Sequence, residues 1–239
     1  MRLGKGVWHY LGKSLKLLLL VILLFGGIFF FNQNSISDYF PIAVVRIYGI
    51  EHLQSQELQQ VLTPLVQRGF FTVDVDLIRE RLLQEPWVSD VFVRRVWPAR
   101  VDITLIERRP AAKWNNVRLL STTGDLFQAT ANTFPDLPRF VGPDGMHNEM
   151  LQYYDEMNRI LLSLHVKIAY LELTPYSSWK IILDNGIAVK INHKDLLTRL
   201  TQFVRVYPRI IGDRTGDVEF VDLRYPYGVA VHWKTAVKT

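Results

Sequence analysis

The chain has 239 residues, of which 49% are hydrophobic and 12% aromatic, a composition typical of folded domains rather than of disordered chains. Its formal net charge is +5, but four basic residues before residue 17 supply most of the excess, since the other 24 basic residues face 23 acidic ones. The chain after residue 16 therefore lacks the basic surplus of a nucleic-acid-binding domain. The absence of cysteine excludes disulfide scaffolds, cysteine nucleophiles and thiolate metal sites.

The first predicted element is an uncleaved membrane anchor. Leu17 to Phe31 is a run of fifteen residues without a polar side chain, and a helix needs roughly 20 residues to cross about 30 Å of hydrocarbon. Residues 17–36 reach that length if Lys16 extends its charge to one interface and Asn32 to Ile36 fill the other. A secretory signal peptide is the alternative, but the run ends in phenylalanines rather than in the small residues that precede a cleavage site.

The charges around the anchor predict its orientation. Basic residues next to a membrane segment stay on the cytoplasmic side. Because four basic residues lie within residues 1–16 and no acidic residue precedes Asp38, we expect a short cytoplasmic tail at residues 1–16. The chain after the anchor is then outside the cytoplasm, as in a single-pass membrane protein.

A compact α+β unit is predicted after the anchor. Pro41 to Tyr48 is typical of a strand, and two amphipathic helices follow, the first capped by Ser55 and the second by Asp76. Two further strands, Val88 to Val96 and an alternating run from Val101 to Leu105, are joined by a Trp-Pro-Ala connection. The order is therefore β-α-α-β-β within about 70 residues, the size of one small unit.

A second region mixes strands with helices. Thr123-Gly124-Asp125 predicts one hairpin, and Asn185-Gly186 predicts another, because Asn-Gly strongly favours a type I′ turn. Apolar residues at helical spacing predict two helices, at residues 148–164 and 195–207. Pro208 is expected to end the second of them.

The last predicted element is one strand from Val218 to Trp233, with apolar or aromatic residues at alternate positions. Pro226 interrupts it, and because proline cannot donate to a strand ladder, we expect this strand at a sheet edge. An exposed edge can accept a strand from another protein, and aromatic residues dominate interface hot spots. Val221 and Leu223 are interpreted as core residues. The aromatic residues are interpreted as partner contacts: Tyr225, Tyr227 and Trp233.

No catalytic or metal-binding pattern stands out in the sequence. The six histidines show no HExxH or HxH spacing, and no GxSxG or P-loop motif occurs. Scattered carboxylates leave a glycosidase pair open without favouring one. We therefore expect a protein that is not an enzyme and that uses no metal or cofactor.

A basic cluster lies near the end of the first unit, and two interpretations of it stay open. The arginines are either solvated strand edges or a docking face for acidic partner segments or anionic lipid headgroups. The cluster consists of Arg94, Arg95, Arg100, Arg108 and Arg109.

Two stretches carry a resemblance to a known family. The first is PWVSDVFVRRVWPARVDITLIERRPAAKW, from Pro86 to Trp114, and the second is VDLRYPYGVAVHW, from Val221 to Trp233. With the basic tail, the apolar run and the β-α-α-β-β unit, they resemble the FtsQ/DivIB family of bacterial cell-division proteins in its Gram-negative form, over nearly the whole chain. The resemblance implies a POTRA domain at residues 41–109, a mixed α/β "β domain" with a C-terminal edge strand at 111–234, and a tail at 235–239.

The resemblance also implies a function. It implies a single-pass protein of the bacterial inner membrane, with its C-terminal part in the periplasm at the division septum. There it would be a non-catalytic scaffold that binds FtsB- and FtsL-type partners, links early and late division proteins, and helps control septal peptidoglycan assembly. The POTRA domain would serve recruitment, and both it and the transmembrane segment would contact other membrane proteins of the division machinery. The final strand would receive the FtsB-type partner by strand addition. Carried onto this chain, the partner site is Arg224, Tyr225, Tyr227, Gly228 and Trp233.

Two positions depart from the family pattern. Tyr176-Ser177-Ser178-Trp179 stands where relatives can carry an arginine pair before Ser-Trp, so a charge contact from that hairpin is in doubt. Pro226-Tyr227 replaces smaller polar residues after Arg-Tyr, so the strand geometry there is expected to differ.

Two other classes of protein remain as alternatives. One is a POTRA-bearing transport or secretion component of the envelope, although such proteins usually carry several POTRA units and this sequence predicts one. The other is a membrane-anchored cell-wall enzyme, for which no residue pattern speaks.

Overall fold

The computed structural model describes residues 19–26, 40–128, 134–226 and 228–234. Residues 19–26 are helical, and their apolar side chains are exposed. Most of the predicted anchor, residues 17–36, lies outside the described residues, as do the tails at 1–16 and 235–239. Within the described ranges, no helix combines the length and the apolar character that a membrane crossing requires.

The chain divides into two compact units, Met1–Glu107 and Arg108–Thr239. The first has the predicted β-α-α-β-β order. Its described strands form a three-stranded sheet, called here the small sheet, in the order β1-β3-β2, with β1 parallel and β2 antiparallel to β3. The elements are β1 (Val44–Tyr48), α1 (Ser55–Val66), α2 (Val75–Leu83), β2 (Val88–Val96) and β3 (Arg100–Glu107).

The core of the first unit follows the predicted periodicities. Alternate residues of β3, such as Val101 and Ile103, are fully buried against the helices. Ile78 and Leu82, from one face of α2, belong to the same core. Phe71, in the loop between α1 and α2, is exposed.

The helix caps of the first unit differ from those predicted. Gln54 is the N-cap of α1, and Ser55 is its first helical residue. Asp74, not Asp76, caps α2: its carboxylate accepts the backbone N–H groups of Asp76 and Leu77 at 3.1 and 3.0 Å. A cap must precede the helix to reach its first unpaired donors. Asp76 lies inside the first turn, where its charge still favours the helix dipole.

The described strands of the second unit form a nine-stranded sheet, called here the large sheet, in the order β12-β11-β10-β9-β8-β7-β4-β5-β6. Its two helices connect parallel neighbours, α3 between β7 and β8 and α4 between β10 and β11. The elements are β4 (Pro110–Trp114), β5 (Arg118–Ser121), β6 (Leu126–Phe127), β7 (Arg139–Val141), α3 (His147–Leu161), β8 (Ile168–Leu173), β9 (Ser178–Leu183), β10 (Ala188–Asn192), α4 (Leu196–Ile210), β11 (Val218–Asp222) and β12 (Ala230–Trp233), with 3₁₀ turns at Leu162–Leu164, His193–Asp195 and Gly212–Asp217.

Both predicted hairpins of the second unit form. The turn at Thr123-Gly124-Asp125 joins β5 to β6, and Asn185-Gly186 joins β9 to β10. Gly186 has a φ of 87°, which glycine adopts without a steric cost. Local turn chemistry therefore predicted these two connections correctly.

The predicted end of α4 is wrong. The helix runs through Pro208 to Ile210, and the backbone N–H of Ile211 still bonds to the carbonyl of Tyr207 at 2.9 Å. A proline in the last turn removes its own N–H from the ladder and crowds the carbonyl four residues earlier, but few further helical bonds follow it there. The buried residues Leu200 and Phe203 hold this helix against the core.

The single C-terminal strand predicted from Val218 to Trp233 is also wrong, because two strands form instead. β11 pairs in parallel with β10, the chain reverses over residues 223–229, and β12 returns antiparallel to β11 with Val221 opposite Val231. The alternating pattern continued across the reversal because both strands place residues on the same core. Pro226 therefore lies in the connection and not in a strand.

Candidate functional site

The strand β12 forms one edge of the large sheet, beyond β11. The fully buried Val221 and the nearly buried Leu223 anchor its neighbour to the core, as the sequence predicted for these two residues. In the part of the chain that the structure describes, no strand pairs with the outer side of β12, and no side chain bonds to its backbone there. Alternate residues of an edge strand direct N–H and C=O groups outward. This edge can therefore accept a further strand.

Trp233 is the last residue of β12 and lies opposite Val218. Its ring is half-buried and packs against the core of the second unit. On the ring face, the guanidinium carbon of Arg214 lies 4.1 Å from the centroid, within the range of a cation–π contact. Trp233 is thus held in place while part of its surface stays open.

Two other predicted residues lie in the connection before β12 rather than on the strand. The side chain of Tyr225 is 58% exposed. Gly228 is exposed, and a Cβ added there would meet no atom within 4 Å, so the described residues leave room for a side chain. Tyr227, also predicted as a contact, lies outside the described residues.

Arg224, the remaining predicted residue, is oriented by a buried carboxylate. Its Nε and Nη2 donate to Oδ1 and Oδ2 of Asp222 at 2.9 and 2.6 Å, a bidentate arrangement. These hydrogen bonds from Arg224 outweigh the effect of burial and lower the pKa of Asp222. The pair leaves Nη1 without a bond to any described residue, so the exposed arginine keeps donors for a partner.

A cleft of about 500 Å³ lies beside the start of β12, lined by residues of α4 and by Pro226, Gly228 and Val229. Arg199 lines it, donating to Oε1 of Gln202 at 3.0 Å and also to the backbone carbonyl of Pro226. Arg205 adds a second positive charge. These residues were not predicted from the sequence, although their spacing of three along a helix places them on one face.

The opposite face of the same strands carries a second group of residues that was not predicted from the sequence. The rings of Phe220 and His232 stack at 4.0 Å, and the ammonium group of Lys190 lies 4.1 Å from the Phe220 centroid. These residues occupy the positions between the core-facing ones, so the alternation that predicted the core also indicated their common face.

The basic cluster of the first unit is partly internal. Arg94 Nη2 and Arg100 Nε lie 3.1 and 3.0 Å from the carboxylate oxygens of Asp102, which is buried. Arg95 donates to the backbone carbonyl of Val73 at 2.7 Å. These three arginines therefore have structural contacts, and only their exposed parts remain for docking.

In the described part of the chain, neither a metal-binding group nor an SxxK pair shows an arrangement that suits catalysis. Among the described residues, no group of three or more His, Cys, Asp or Glu side chains is arranged to hold a metal ion. Ser177 and Lys180 have SxxK spacing, but Lys180 lies in β9 with its ammonium group 3.9 Å from Glu172. Residues three apart share a face on a helix, whereas here Ser177 lies in the turn before β9, with a φ of 54°, and only Lys180 is in the strand.

The chain is similar to known proteins along most of its length. A family model described as "POTRA domain, FtsQ-type" matches residues 40–108, and one described as "Cell division protein FtsQ/DivIB, C-terminal" matches residues 112–224. The chain is 33% identical to the cell division protein FtsQ of Coxiella burnetii over 96% of this chain and 94% of that protein. It is 35% identical to that of Shewanella oneidensis over 95% and 88%, and 33% identical to that of Burkholderia pseudomallei over 92% and 89%. The second family model ends at Arg224, before β12 begins.

Proposed function

Because the chain belongs to the FtsQ/DivIB family of cell-division proteins, we propose that it is a non-catalytic scaffold of the division machinery. It binds FtsB- and FtsL-type membrane proteins at the septum. By linking early and late division proteins, it takes part in the control of septal peptidoglycan assembly. A POTRA domain over residues 41–109 serves recruitment, and a β domain over residues 111–234 carries the main partner site.

The open outer edge of β12 carries this proposal. A partner segment that adds a strand there gains backbone hydrogen bonds, and aromatic side chains beside the edge supply the specific contacts. Tyr225 is exposed in the connection that precedes β12, and Trp233 is half-buried as the last residue of β12. The partner site is Arg224, Tyr225, Tyr227, Gly228 and Trp233.

The charges near this edge favour a partner with acidic residues. Arg224 has unused donors, and Arg199 and Arg205 line the adjacent cleft. Arginine binds carboxylates in a bidentate geometry. A partner carboxylate near the start of β12 would therefore be bound by guanidinium groups already oriented by Asp222 and Gln202.

A membrane anchor at residues 17–36 places the two domains outside the cytoplasm, in the periplasm. The exposed apolar side chains of the helical residues 19–26 support the anchor, because exposed apolar residues are stable in hydrocarbon. The four basic residues before the run support the orientation. Partners anchored in the same membrane then meet at a high effective concentration, so an interface of modest size suffices.

Truncation of the edge strand tests the partner site. Removing residues 218–239 would also delete β11, whose Val218 and Val221 belong to the core, so the sharper variant ends at Gly228 and lacks only Val229, β12 and residues 234–239. We expect the full chain in vesicles to bind the periplasmic segment of an FtsB-type protein, and this variant to bind none, by calorimetry.

The matched control removes residues 235–239 only and is expected to bind like the full chain. Unchanged binding by the variant that ends at Gly228 would refute the edge site. In cells, a fluorescent fusion should form a ring at midcell, and a uniform membrane signal would contradict the septal role and leave the envelope transport alternative standing.

A further inference from the structure

Four aromatic rings of the first unit form one group, called here the aromatic cluster: Phe40, Phe70, Phe71 and Trp97. Phe40 contacts Phe71 with ring centroids 5.1 Å apart, and Trp97 lies 5.5 to 5.9 Å from the other three rings. The rings meet mostly edge to face, as aromatic side chains prefer. The cluster is therefore an ordered patch and not a set of separate exposed residues.

Most of this patch faces outward. Phe40, Phe71 and Trp97 are 38%, 49% and 61% exposed, and only Phe70, at 8%, is buried beneath them. Contiguous apolar patches on a folded unit mark binding surfaces for proteins or membranes. Three partly open rings that contact one another therefore make the cluster a candidate binding surface.

The cluster lies where the chain enters the first unit. The backbone N–H of Phe70 donates to the carbonyl of Phe40 at 2.7 Å, which ties the entering chain to the loop between α1 and α2. The N–H of Ala43 donates to the carbonyl of Ala99 at 2.8 Å, which ties it to the β2–β3 connection that carries Trp97. Entry point and aromatic patch are therefore at the same end of the small sheet.

The distance along the chain limits how far this end lies from the apolar run. Phe40 follows Phe31, the last residue of that run, by nine positions. A fully extended chain of nine residues spans about 32 Å, and any more compact conformation spans less. If the run is in the bilayer, the aromatic cluster is within reach of its surface.

Aromatic side chains and positive charge together suit a lipid surface. Tryptophan is enriched at the boundary between headgroups and acyl chains. Arg68, two residues before Phe70, is exposed and forms no ion pair with any described residue, so it is available for an anionic headgroup.

We propose that the aromatic cluster is a membrane contact, with Phe40, Phe71 and Trp97 inserted at the headgroup level of the leaflet from which the first unit emerges. The inference rests on the membrane anchor of the proposed function. Its consequence is that the POTRA unit is held against the bilayer in one orientation and does not swing freely on its anchor. The occupant is lipid, because the patch adjoins the entering chain and needs no second protein for its rings to be covered.

Tryptophan quenching by brominated lipids tests this contact. The full chain is reconstituted in vesicles of phosphatidylethanolamine and phosphatidylglycerol, with and without bromine on the acyl chains near the headgroup. The emission of Trp97 is the difference between the chain and its Trp97→Phe variant, which keeps an aromatic ring in the cluster. We expect the brominated lipids to quench most of this difference.

A matched control moves the probe to a second exposed apolar position. In Trp97→Phe/Phe92→Trp, the new tryptophan is on the small sheet at a residue that is 59% exposed, close to the 61% of Trp97. Brominated lipids should leave its emission unquenched, while a water-soluble quencher should reduce it. Thermal unfolding of both variants checks that the unit stays folded.

The outcomes separate this inference from the proposed function. A chain that floats with the vesicles but shows no quenching of Trp97 overturns the lipid contact and leaves the anchor intact. The cluster would then be a site for another membrane protein, which these vesicles lack. A chain that does not float overturns both the anchor and the lipid contact.

Discussion

The two sheets of this protein both end in exposed edge strands, yet the edges differ in how much of their backbone is open. In the small sheet, β2 is an edge strand of nine residues, and in the large sheet, β12 is an edge strand of four. Length alone would make β2 the better template for strand addition. The side chains around each edge reverse that expectation.

Side chains occupy part of the β2 backbone. Arg79, from α2, donates through Nε to the carbonyl of Val91 at 3.0 Å, and the carboxylate of Asp90 accepts the N–H of Val91 at 2.8 Å. Arg79 also bonds to Asp90 at 2.8 Å, so the two side chains form one cap. Such local blocking protects an edge from unwanted pairing. No described side chain blocks the backbone of β12 in this way. A strand can therefore lie at the edge of a sheet, as β2 does, without leaving its backbone open to a partner.

The largest effect is expected for Trp233→Ala. Half-buried Trp233 packs on the core and contacts Arg214, so the truncation should lower the free energy of unfolding by about 2 kcal/mol, less than for a fully buried tryptophan. It should also weaken partner binding by about 2 kcal/mol or more, the usual hot-spot scale. Chemical unfolding and calorimetry measure the two effects. Trp233→Phe should keep most of the stability and most of the partner binding. A loss of less than about 0.5 kcal/mol in binding by Trp233→Ala would contradict the hot-spot assignment.

Tyr225→Ala should separate binding from stability. Because this side chain is largely exposed, its loss should change the free energy of unfolding by less than about 0.5 kcal/mol. Binding should still weaken by about 2 kcal/mol if the ring is an anchor at the β12 edge. Tyr176→Ala, at another exposed tyrosine of the same unit, is the matched control and should alter neither quantity. Equal binding by both variants would remove Tyr225 from the site.

A smaller effect is expected from the Asp222–Arg224 pair as the pH falls. The hydrogen bonds from Arg224 lower the pKa of Asp222 below its ordinary value of 3.8. A depressed pKa means that the stabilisation is complete above that ordinary value and is lost as the pH falls through the folded-state pKa. Asp222→Asn should cost about 1 kcal/mol at neutral pH, since Arg224 is half in water. Urea unfolding at a series of pH values should show a weaker pH dependence in the variant, and parallel curves would show that this pair does not contribute.

The smallest effect is expected at the blocked edge. Arg79→Ala removes the donor to the Val91 carbonyl and the partner of Asp90, so hydrogen exchange at the β2 edge should become faster while overall stability changes little. Arg81→Ala, also on α2, is the control. Exchange at β12 should not change in either variant. If β2 exchanges at the same rate with and without Arg79, the cap does not distinguish the two edges.

Much of this fold was predictable because it depends on short-range chemistry. The alternation in Val101 to Leu105 identified the buried face of β3, and Asn185-Gly186 identified the β9–β10 hairpin, since both depend only on neighbouring residues. The predicted membership in the division-protein family was confirmed by similarity over nearly the whole chain. The individual contact residues of the partner site remain predictions.

Other features depended on which segments meet in space. The pattern from Val218 to Trp233 determined which side chains face the core, but not that the chain reverses between Asp222 and Ala230, because two strands on one core show the same alternation as one. The edge position of β12 follows from its pairing with β11, and the proline that suggested an edge lies outside both strands.

The sequence by itself determined the order of elements in the first unit, the core faces and the family of this protein, since periodicity and motifs are properties of neighbours along the chain. The tertiary structure decided which edge is open, which arginines are already paired, and that Phe40, Phe70, Phe71 and Trp97 form one patch. The members of that patch are up to 57 positions apart in the sequence. Contacts between such distant residues arise only when strands pair and helices pack, because periodicity carries no information about which segments become neighbours.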